Sequence, residues 1–234
     1  MINLTNRATD TEIMDDFTLP AGTVVPVLKG LEKMNAFFGG QKTIISALRG
    51  LPLQNGAHIS DWGCGGGDIL RAIAKWASDR QMQVKLTGID ATPSAIEYAR
   101  EQAKAFDNID FILADVTKHQ FAENQFDVVY SNLFTHHFKD DDWVSLVKKM
   151  LAGSKNAVII TDLHRHWLLY YAVVAITSFT NSKMARFDGP LSVKRSFKKS
   201  ELVSLLNKAG ITNYKITWQW AFKWRVIIYK TAQQ

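Results

Sequence analysis

Hydrophobic and polar positions alternate in a regular way from about residue 57 to the end of the chain. Short apolar runs of strand length are separated by stretches in which apolar residues recur every three or four positions. Strands are predicted at residues 58–62, 84–90, 109–114, 126–132 and 157–161. Helices are predicted to begin near residues 69, 92 and 140 and at Ser200. This alternation predicts an α/β fold with a parallel sheet and helices on both faces.

The two ends of this pattern differ from its centre. Strands around Tyr214–Trp220 and Trp224–Tyr229 are too close in sequence for a crossover helix, so they are predicted to be antiparallel neighbours. Residues 1–50 have a mostly helical pattern, and residues 163–199 form a long insertion. Ligands of open α/β sheets bind beyond the carboxyl ends of the strands. We therefore expect a single domain over 1–234, with a helical cap and a lid over that crevice.

Composition limits the class of protein. The chain has 234 residues, of which 47% are apolar and 21% charged, so it can bury a core and is not disordered. A single cysteine, Cys64, excludes a disulfide framework and favours a reducing compartment. The longest apolar stretch, Trp167–Thr180, is shorter than the roughly 20 residues that cross a bilayer. No signal-peptide pattern is visible, and we expect a soluble, cytoplasmic protein without a membrane span.

The net charge of +6 is unevenly distributed. Residues 183–234 carry eleven Lys and Arg against two acids, whereas residues 1–182 carry 17 basic and 20 acidic side chains. A basic segment of this kind can contact nucleic acid or another anion. A solvated basic face is the preferred interpretation, so nucleic acid is not the expected partner.

Candidate chemistry begins with a glycine cluster between the first strand and the following helix. The chain reads Asp61-Trp62-Gly63-Cys64-Gly65-Gly66-Gly67 there. Glycine lets a backbone turn sharply and approach a ligand, and a helix N-terminus favours an anionic group. A dinucleotide-binding fingerprint would need a third glycine where the chain has Asp68. The leading acid Asp61 instead suits a ligand that carries an ammonium and a carboxylate, such as the amino-acid end of S-adenosylmethionine.

Two further acids follow the second and third strands. Asp90 is placed where a carboxylate can accept hydrogen bonds from a ribose diol, a role that NAD would also satisfy. Asp115 is placed where it can accept from an adenine amino group, although a turn before Val116 and Thr117 explains it equally well. Three acids in this order, each after its own strand, are more specific than any one alone.

With these motifs the chain resembles the class I S-adenosylmethionine-dependent methyltransferases over nearly its whole length. The fourth-strand motif of that family matches Phe126–Asn132. The resemblance implies a Rossmann-like sheet of seven strands, mostly parallel with the last strand antiparallel, and S-adenosylmethionine as the cofactor. The cofactor-binding residues that it implies are Asp61, Gly63, Cys64, Gly65, Gly67, Asp90, Ala91, Asp115, Val116 and Asn132.

Four short segments resemble a bacterial subgroup of small-molecule methyltransferases. They are Glu12–Asp16, Asn35–Gly40, Asp162–Arg165 and Asp188–Val193. That resemblance implies secondary metabolism and O-methylation of a phenolic or polyketide-like compound. The apolar stretch 167–176 also favours a flat, lipophilic acceptor.

Four of the six histidines follow the fourth or the fifth strand. Because imidazole titrates near neutrality, we hypothesise that His136 or His164 is the general base, with a structural hydrogen-bonding role as the alternative. Contacts to the acceptor are expected from His137, His166, Trp167 and Phe134. No metal is expected, because no carboxylate stands at a recognised ligand spacing from these histidines.

Several other activities are considered for this sequence. A quinol C-methyltransferase, a cofactor-binding module without turnover and an RNA methyltransferase using the basic segment Lys194–Lys199 stay open. An adenine N6-methylase would carry Asn/Asp-Pro-Pro-aromatic where this chain reads Ser131-Asn132-Leu133-Phe134. An arsenite methylase would need more cysteines than Cys64.

Overall fold

A computed structural model describes residues 2–230 of the chain. The strands are β1 (Ala57–Trp62), β2 (Val84–Asp90), β3 (Ile109–Leu113), β4 (Phe126–Asn132), β5 (Ser154–Leu163), β6 (Tyr214–Gln219) and β7 (Lys223–Tyr229). The helices are α1 (Ala21–Phe37), α2 (Gly40–Leu48), α3 (Asp68–Ser78), α4 (Pro93–Gln102), α5 (Asp140–Gly153), α6 (Trp167–Ser178), α7 (Lys183–Arg195) and α8 (Lys199–Lys208). Short 3₁₀ turns occupy Ile13–Asp15 and Thr135–His137.

The seven strands form one sheet in the order β3-β2-β1-β4-β5-β7-β6. Strands β1 to β5 are parallel, and β7 is antiparallel to both of its neighbours, β5 and β6. Strand β1 pairs with β2 on one side and with β4 on the other, so the strand order reverses there. The crevice beyond the carboxyl ends therefore opens between β1 and β4. The predicted Rossmann-like fold is confirmed.

Helices cover both faces because the central strands are apolar on both. In β1, Ile59 is fully buried among apolar residues of α2 and α3, such as Ile44 and Leu70. Trp62 is fully buried on the opposite face, in the cluster that includes Trp143 of α5. Adjacent residues of a strand point to opposite faces, so one strand contributes to both cores.

Apart from one-residue shifts at the ends of β1, β3, β6 and β7, three differences from the prediction have a physical reason. Strand β5 is longer than residues 157–161, because it pairs with β7 as far as Leu163. Helix α8 begins one residue before Ser200, because the Glu201 carboxylate accepts the Lys198 N–H at 2.7 Å and caps the helix. Residues 2–20 are mostly extended around a single 3₁₀ turn, so the predicted helical cap is limited to α1 and α2.

The insertion at residues 163–199 folds into the two helices α6 and α7, which pack against each other. Helix α7 also contacts the turn at Ile13–Asp15 and the turn at Thr135–His137. The insertion therefore joins the N-terminal segment, residues 2–20, to the carboxyl end of β4. Within residues 2–230, no helix combines the length and the apolar composition that crossing a bilayer requires.

Packing around Gly88 in β2 generates a stability prediction. A β-carbon at Gly88 would lie 2.7 Å from Leu70 Cδ1 and 2.8 Å from Cys64 Sγ. We expect Gly88→Ala to lower the free energy of unfolding by about 1–3 kcal/mol through overpacking. In Gly30→Ala the new carbon meets nothing within 4 Å, so this control should be neutral or gain about 0.5–1 kcal/mol in helix α1. Urea denaturation measures both, and equal stability of the two variants would contradict the packing described.

Candidate active site

The glycine loop between β1 and α3 has a backbone that other residues would strain. Gly63 has φ +77°, and Gly65 and Gly67 also have positive φ. A β-carbon at Gly63 would lie 2.3 Å from Cγ of Phe134, whose ring therefore covers this turn. The loop is fixed to the sheet by the Gly63 N–H, which donates to the Ile89 carbonyl at 2.8 Å. A ligand at this loop would thus contact backbone atoms on one side and the aromatic ring of Phe134 on another.

Asp61 is the least satisfied acid of the region. It is 3% exposed, and its Oδ1 has no hydrogen-bond partner among the described residues. Burial raises the pKa of the Asp61 carboxyl well above its usual value, the Tyr130 hydroxyl opposes that rise, and the carboxylates of Asp68 and Asp90 add to it. A buried carboxyl with an unpaired oxygen beside two other acids is the kind of site that an ammonium group stabilises. The residues present therefore fit the amino-acid end of the expected cofactor.

Asp90, at the end of β2, shapes the loop and keeps acceptor capacity. Its Oδ2 accepts the Gly65 N–H at 2.9 Å and its Oδ1 accepts the Thr92 N–H at 2.9 Å. Each carboxylate oxygen has a further lone pair, so a diol can still be bound. Ala91, the next residue, is partly exposed beside this carboxylate.

The residues that follow β3 make mostly local contacts, which leaves fewer of their side-chain atoms for a ligand than the sequence implies. Asp115 Oδ1 accepts the Thr117 N–H at 2.9 Å and the Thr117 hydroxyl at 2.6 Å, and Lys118 pairs with Oδ2 at 3.3 Å. The turn interpretation of Asp115 is therefore observed directly. The side chains of Cys64 and Val116 belong to the two cores, so only their backbone is available to a ligand.

Asn132 connects the end of β4 to helix α1. Its Oδ1 accepts the Thr161 hydroxyl at 2.6 Å, and its Nδ2 donates to Asn35 Oδ1 at 3.3 Å. Asn35 in turn donates to the Asp68 carboxylate at 3.2 Å. Sequence reasoning quoted the segment that contains Asn35 without assigning it a role, although a buried asparagine within an apolar helix pattern was a usable signal.

His136 and His137 are each held by a carboxylate through Nδ1. His136 is 3% exposed, and its Nδ1 lies 2.7 Å from Oδ1 of Asp162, the fully buried acid near the end of β5. His137 Nδ1 lies 2.5 Å from Oδ1 of Asp15 in the N-terminal segment. Because a carboxylate only accepts, each imidazole donates from Nδ1, and Nε2 is the ring nitrogen that the carboxylate leaves unused. His136 Nε2 has no partner among the described residues.

These two histidines belong to a larger buried group that joins four parts of the chain. Arg195 of α7 donates to Asp15 Oδ2 at 2.7 Å and lies 3.5 Å from Glu12 Oε1. Asp188 of α7 accepts the backbone N–H groups of Ile13 and Met14. We call this group the polar cluster; its members are Glu12, Asp15, His136, His137, Asp162, Asp188 and Arg195. Four of them were missed as functional candidates, although Glu12, Asp15, Asp162 and Asp188 all lie in segments that carried the subgroup resemblance.

The polar cluster lies next to the crevice at β1 and β2. Burial raises the pKa of the Asp90 carboxyl, and the nearby charge of His137 partly offsets that rise. Phe134, which covers Gly63, has its ring centroid 6.2 Å from that of His137. Burial also raises the pKa of Glu12, to about 7. The cluster therefore borders the space in which the glycine loop and Asp90 would hold a ligand.

His164 and His166 lie apart from this cluster, beyond the end of β5. They line a cavity of about 630 Å³ together with apolar and aromatic side chains, among them Leu4, Trp167 and Tyr171. Burial lowers the pKa of His164, so its imidazole is neutral near pH 7, and its Nδ1 has no partner among residues 2–230. Since adjacent strands lie about 4.8 Å apart, the end of β5 is about 10 Å from that of β1. The four candidate histidines thus form two separate pairs.

Comparison with known families identifies the central part of the chain. Residues 59–156 match the family model described as a methyltransferase domain. This span begins in β1 and ends at the start of β5, so it contains the glycine loop, Asp90, Asp115 and both histidines after β4. The prediction of a methyltransferase domain is confirmed over these residues.

Individual relatives agree with this match. The chain is similar to phosphoethanolamine N-methyltransferase 3 of Arabidopsis thaliana, with 33% identity over 132 residues that cover 54% of this chain and 25% of the relative. The chain thus spans about a quarter of the length of the curated relatives it matches.

Two solved structures show the same fold. One is a SAM-dependent methyltransferase from Aquifex aeolicus, with a TM-score of 0.65, 15% identity, and coverage of 91% of this chain and 99% of that one. The other is the plantazolicin methyltransferase BpumL in complex with SAH, with a TM-score of 0.69, 20% identity, and coverage of 89% of each chain. At 15% and 20% identity, these two matches show a shared fold only.

The contact between Asp188 and the N-terminal segment generates a prediction. We expect Asp188→Ala to leave the Ile13 and Met14 amides without an acceptor, lowering stability by about 1–3 kcal/mol. Hydrogen exchange at these two amides should accelerate. The control Asp16→Ala removes an exposed carboxylate that bonds only Thr18 in its own turn, and should change stability by less than about 0.5 kcal/mol. Unchanged exchange in Asp188→Ala would contradict the anchoring described.

Proposed function

We propose that this chain, whose residues 59–156 form a methyltransferase domain, transfers a methyl group from S-adenosylmethionine to a small acceptor beyond the ends of β4 and β5. The observation that carries the proposal is the buried carboxyl of Asp61 beside the glycine loop, whose Oδ1 has no hydrogen-bond partner among the described residues. A cationic amino-acid end would satisfy this carboxyl, whereas a dinucleotide phosphate would face it with like charge.

Different residues would hold different parts of the cofactor. Asp61 would hold the ammonium group, and the loop from Gly63 to Gly67 would receive the rest of the methionyl end at the N-terminus of α3. Asp90 would accept from the ribose hydroxyls, and Asp115 with the Val116 backbone would face the adenine. When bound, the cofactor supplies a methyl group on a sulfonium, which is a good leaving group. The protein's own tasks are to align the acceptor, exclude water and receive a proton.

The proposed acceptor is a small aromatic hydroxyl compound. Three of the four segments that resemble O-methylating enzymes, Glu12–Asp16, Asp162–Arg165 and Asp188–Val193, meet in or beside the polar cluster, which supports a shared role in handling the acceptor. The exposed rings of Trp167 and Tyr171 at the cavity beyond β5 favour a flat, lipophilic molecule. We infer that the polar cluster takes up the acceptor's hydroxyl group and its proton.

A small phosphorylated amine is the second candidate acceptor. It is suggested by the Arabidopsis relative, and Lys198 beside His164 and His166 gives the cavity beyond β5 a cationic side. An RNA acceptor is less favoured, because Arg195, Ser196 and Phe197 of the basic segment are buried. Incubation with radiolabelled S-adenosylmethionine and a panel of a phenol, a quinol and phosphoethanolamine separates O-, C- and N-methylation. Cofactor binding without transfer to any of them or to cell extract would indicate a binding module.

Cofactor binding should depend strongly on Asp90. We expect Asp90→Ala to weaken binding of S-adenosylmethionine by at least about 2 kcal/mol, because the variant removes charged hydrogen bonds. Titration calorimetry measures the affinity. In the control Asp110→Ala, an exposed acid of β3 is removed and the affinity should stay the same. Equal affinities of the two variants would make the cofactor assignment wrong.

Turnover should depend on His136 more than on His164. His136 is backed by Asp162 in the cluster beside the crevice, whereas His164 lies at the separate cavity. We expect His136→Ala to lower kcat about a hundredfold with little change in cofactor affinity, and His164→Ala to lower it less than tenfold. Single-turnover assays with the acceptor found in the panel measure both. A larger loss of kcat in His164→Ala than in His136→Ala would reverse the assignment. Unchanged kcat in both variants would indicate that neither histidine is a base and that alignment of the acceptor alone accounts for catalysis.

A further inference from the structure

Three ligand-type atoms converge inside the polar cluster from two distant parts of the chain. The Nε2 atoms of His136 and His137 face the carboxylate of Glu12, and the ligand atoms of these residues lie within 4.8 Å of one another. We propose that Glu12, His136 and His137 bind a divalent transition-metal ion of the zinc class. Ligand spacing along the chain did not indicate this metal site, because Glu12 comes from the N-terminal segment, far in sequence from the two histidines.

The distances are close to those of a metal centre. His136 Nε2 lies 3.7 Å from Glu12 Oε1, and His137 Nε2 lies 4.0 Å from Glu12 Oε2. Ligand atoms in a tetrahedral zinc site are about 3.3 Å apart, given metal–ligand distances of about 2.0–2.1 Å. The observed separations are too long for hydrogen bonds. One ligand atom from each of the three residues can be chosen so that all lie within 4.8 Å of one another, so binding of one ion requires the side chains to close by at most about 1.5 Å.

The groups behind the two imidazoles have the arrangement that metal sites require. Asp162 holds Nδ1 of His136 and Asp15 holds Nδ1 of His137, so Nε2 is the nitrogen left for a ligand on each ring, 3.7 and 4.0 Å from the Glu12 carboxylate. A carboxylate on the far nitrogen fixes the tautomer of a ligating histidine and raises its basicity. His136 Nε2 and Glu12 Oε1 are both deeply buried and have no hydrogen-bond partner among residues 2–230. A metal ion would satisfy both atoms at once.

Charge balance supports a cation at this position. The cluster contains four acids, Glu12, Asp15, Asp162 and Asp188, and one guanidinium, that of Arg195. Arg195 is engaged by Asp15 at 2.7 Å and by the His137 carbonyl at 2.6 Å, and it is 3.5 Å from Glu12 Oε1. The remaining contacts to Glu12 and Asp188 come from uncharged donors, the Ser192 hydroxyl and backbone N–H groups. Carboxyl groups therefore outnumber the guanidinium four to one in the cluster, and a bound cation would offset part of that excess.

The donor set indicates the class of ion. Two imidazoles and one carboxylate suit zinc, cobalt, iron or manganese, whereas magnesium and calcium prefer oxygen ligands throughout. Three protein ligands leave at least one coordination position for water or for an oxygen of the acceptor. A role in binding the acceptor's oxygen rests on the proposed methyl transfer, whereas metal binding itself does not.

Metal binding can be measured on the full chain without any methyl donor. Protein stripped with a chelator is loaded with Zn²⁺, desalted and analysed for metal, and the affinity is measured by calorimetry. We expect one ion per chain, a higher melting temperature with Zn²⁺ and visible absorption on Co²⁺ substitution that is typical of nitrogen ligation. Glu12→Gln and His137→Ala should each weaken binding at least about a hundredfold, and Asp162→Asn about 10–100-fold.

Matched histidine variants locate the ion. His119→Ala removes an exposed histidine far from the cluster and should leave the Zn²⁺ content and affinity unchanged. The neighbouring pair His164 and His166, with ring centroids 5.3 Å apart, is the other place where imidazoles meet. Loss of the ion in His164→Ala, retention in His137→Ala, or no bound ion in the unmodified chain would each overturn the proposal. The cobalt spectrum of the unmodified chain shows whether an ion with nitrogen ligands is bound even where a variant fails to fold.

Discussion

Carboxylates gathered at one edge of the sheet are the constraint that the rest of the structure accommodates. Asp61, Asp90 and Asp162 end or nearly end three parallel strands; Asp61 and Asp162 are buried, and Asp90 is partly exposed. Burying an unpaired carboxylate costs several kcal/mol, so each acid needs donors. The chain supplies backbone N–H groups to Asp90 and the His136 imidazole to Asp162, whereas Oδ1 of Asp61 has no donor among the described residues. A bound cation would satisfy the Asp61 carboxyl.

Segments from outside the alternating β/α pattern enclose this edge. Buried Arg165 donates to the carbonyl groups of Leu4 and Ser196 and pairs with Glu201, so it binds the N-terminal segment to the start of α8. Arg7 donates to the His136 carbonyl and stacks on the ring of Phe197, 4.2 Å from its centroid. Arg165 and Arg7 therefore attach the N-terminal segment to the elements that follow β4 and β5. The polar cluster lies in this region.

The sequence predicted what depends on local patterns. Strands β2 and β4 were located to the residue, because short runs rich in β-branched and aromatic residues end in Asp90 or Asn132, and the glycine loop was found because its motif is contiguous. The full length of β5 depends on pairing with β7, and the cap of α8 depends on Glu201, so both needed tertiary information. The polar cluster was missed for the same reason, since Glu12 approaches His136 only after the chain has folded.

The polar cluster also has a consequence for how the protein is made. Glu12 and Asp15 leave the ribosome well before Asp188 and Arg195, with which they are in contact in the folded chain. Contacts between such distant positions form late, because the intervening elements must first be in place. The glycine loop and its neighbouring acids, in contrast, are complete once β4 has emerged. A nascent chain would therefore assemble the glycine-loop side of the crevice well before the polar cluster.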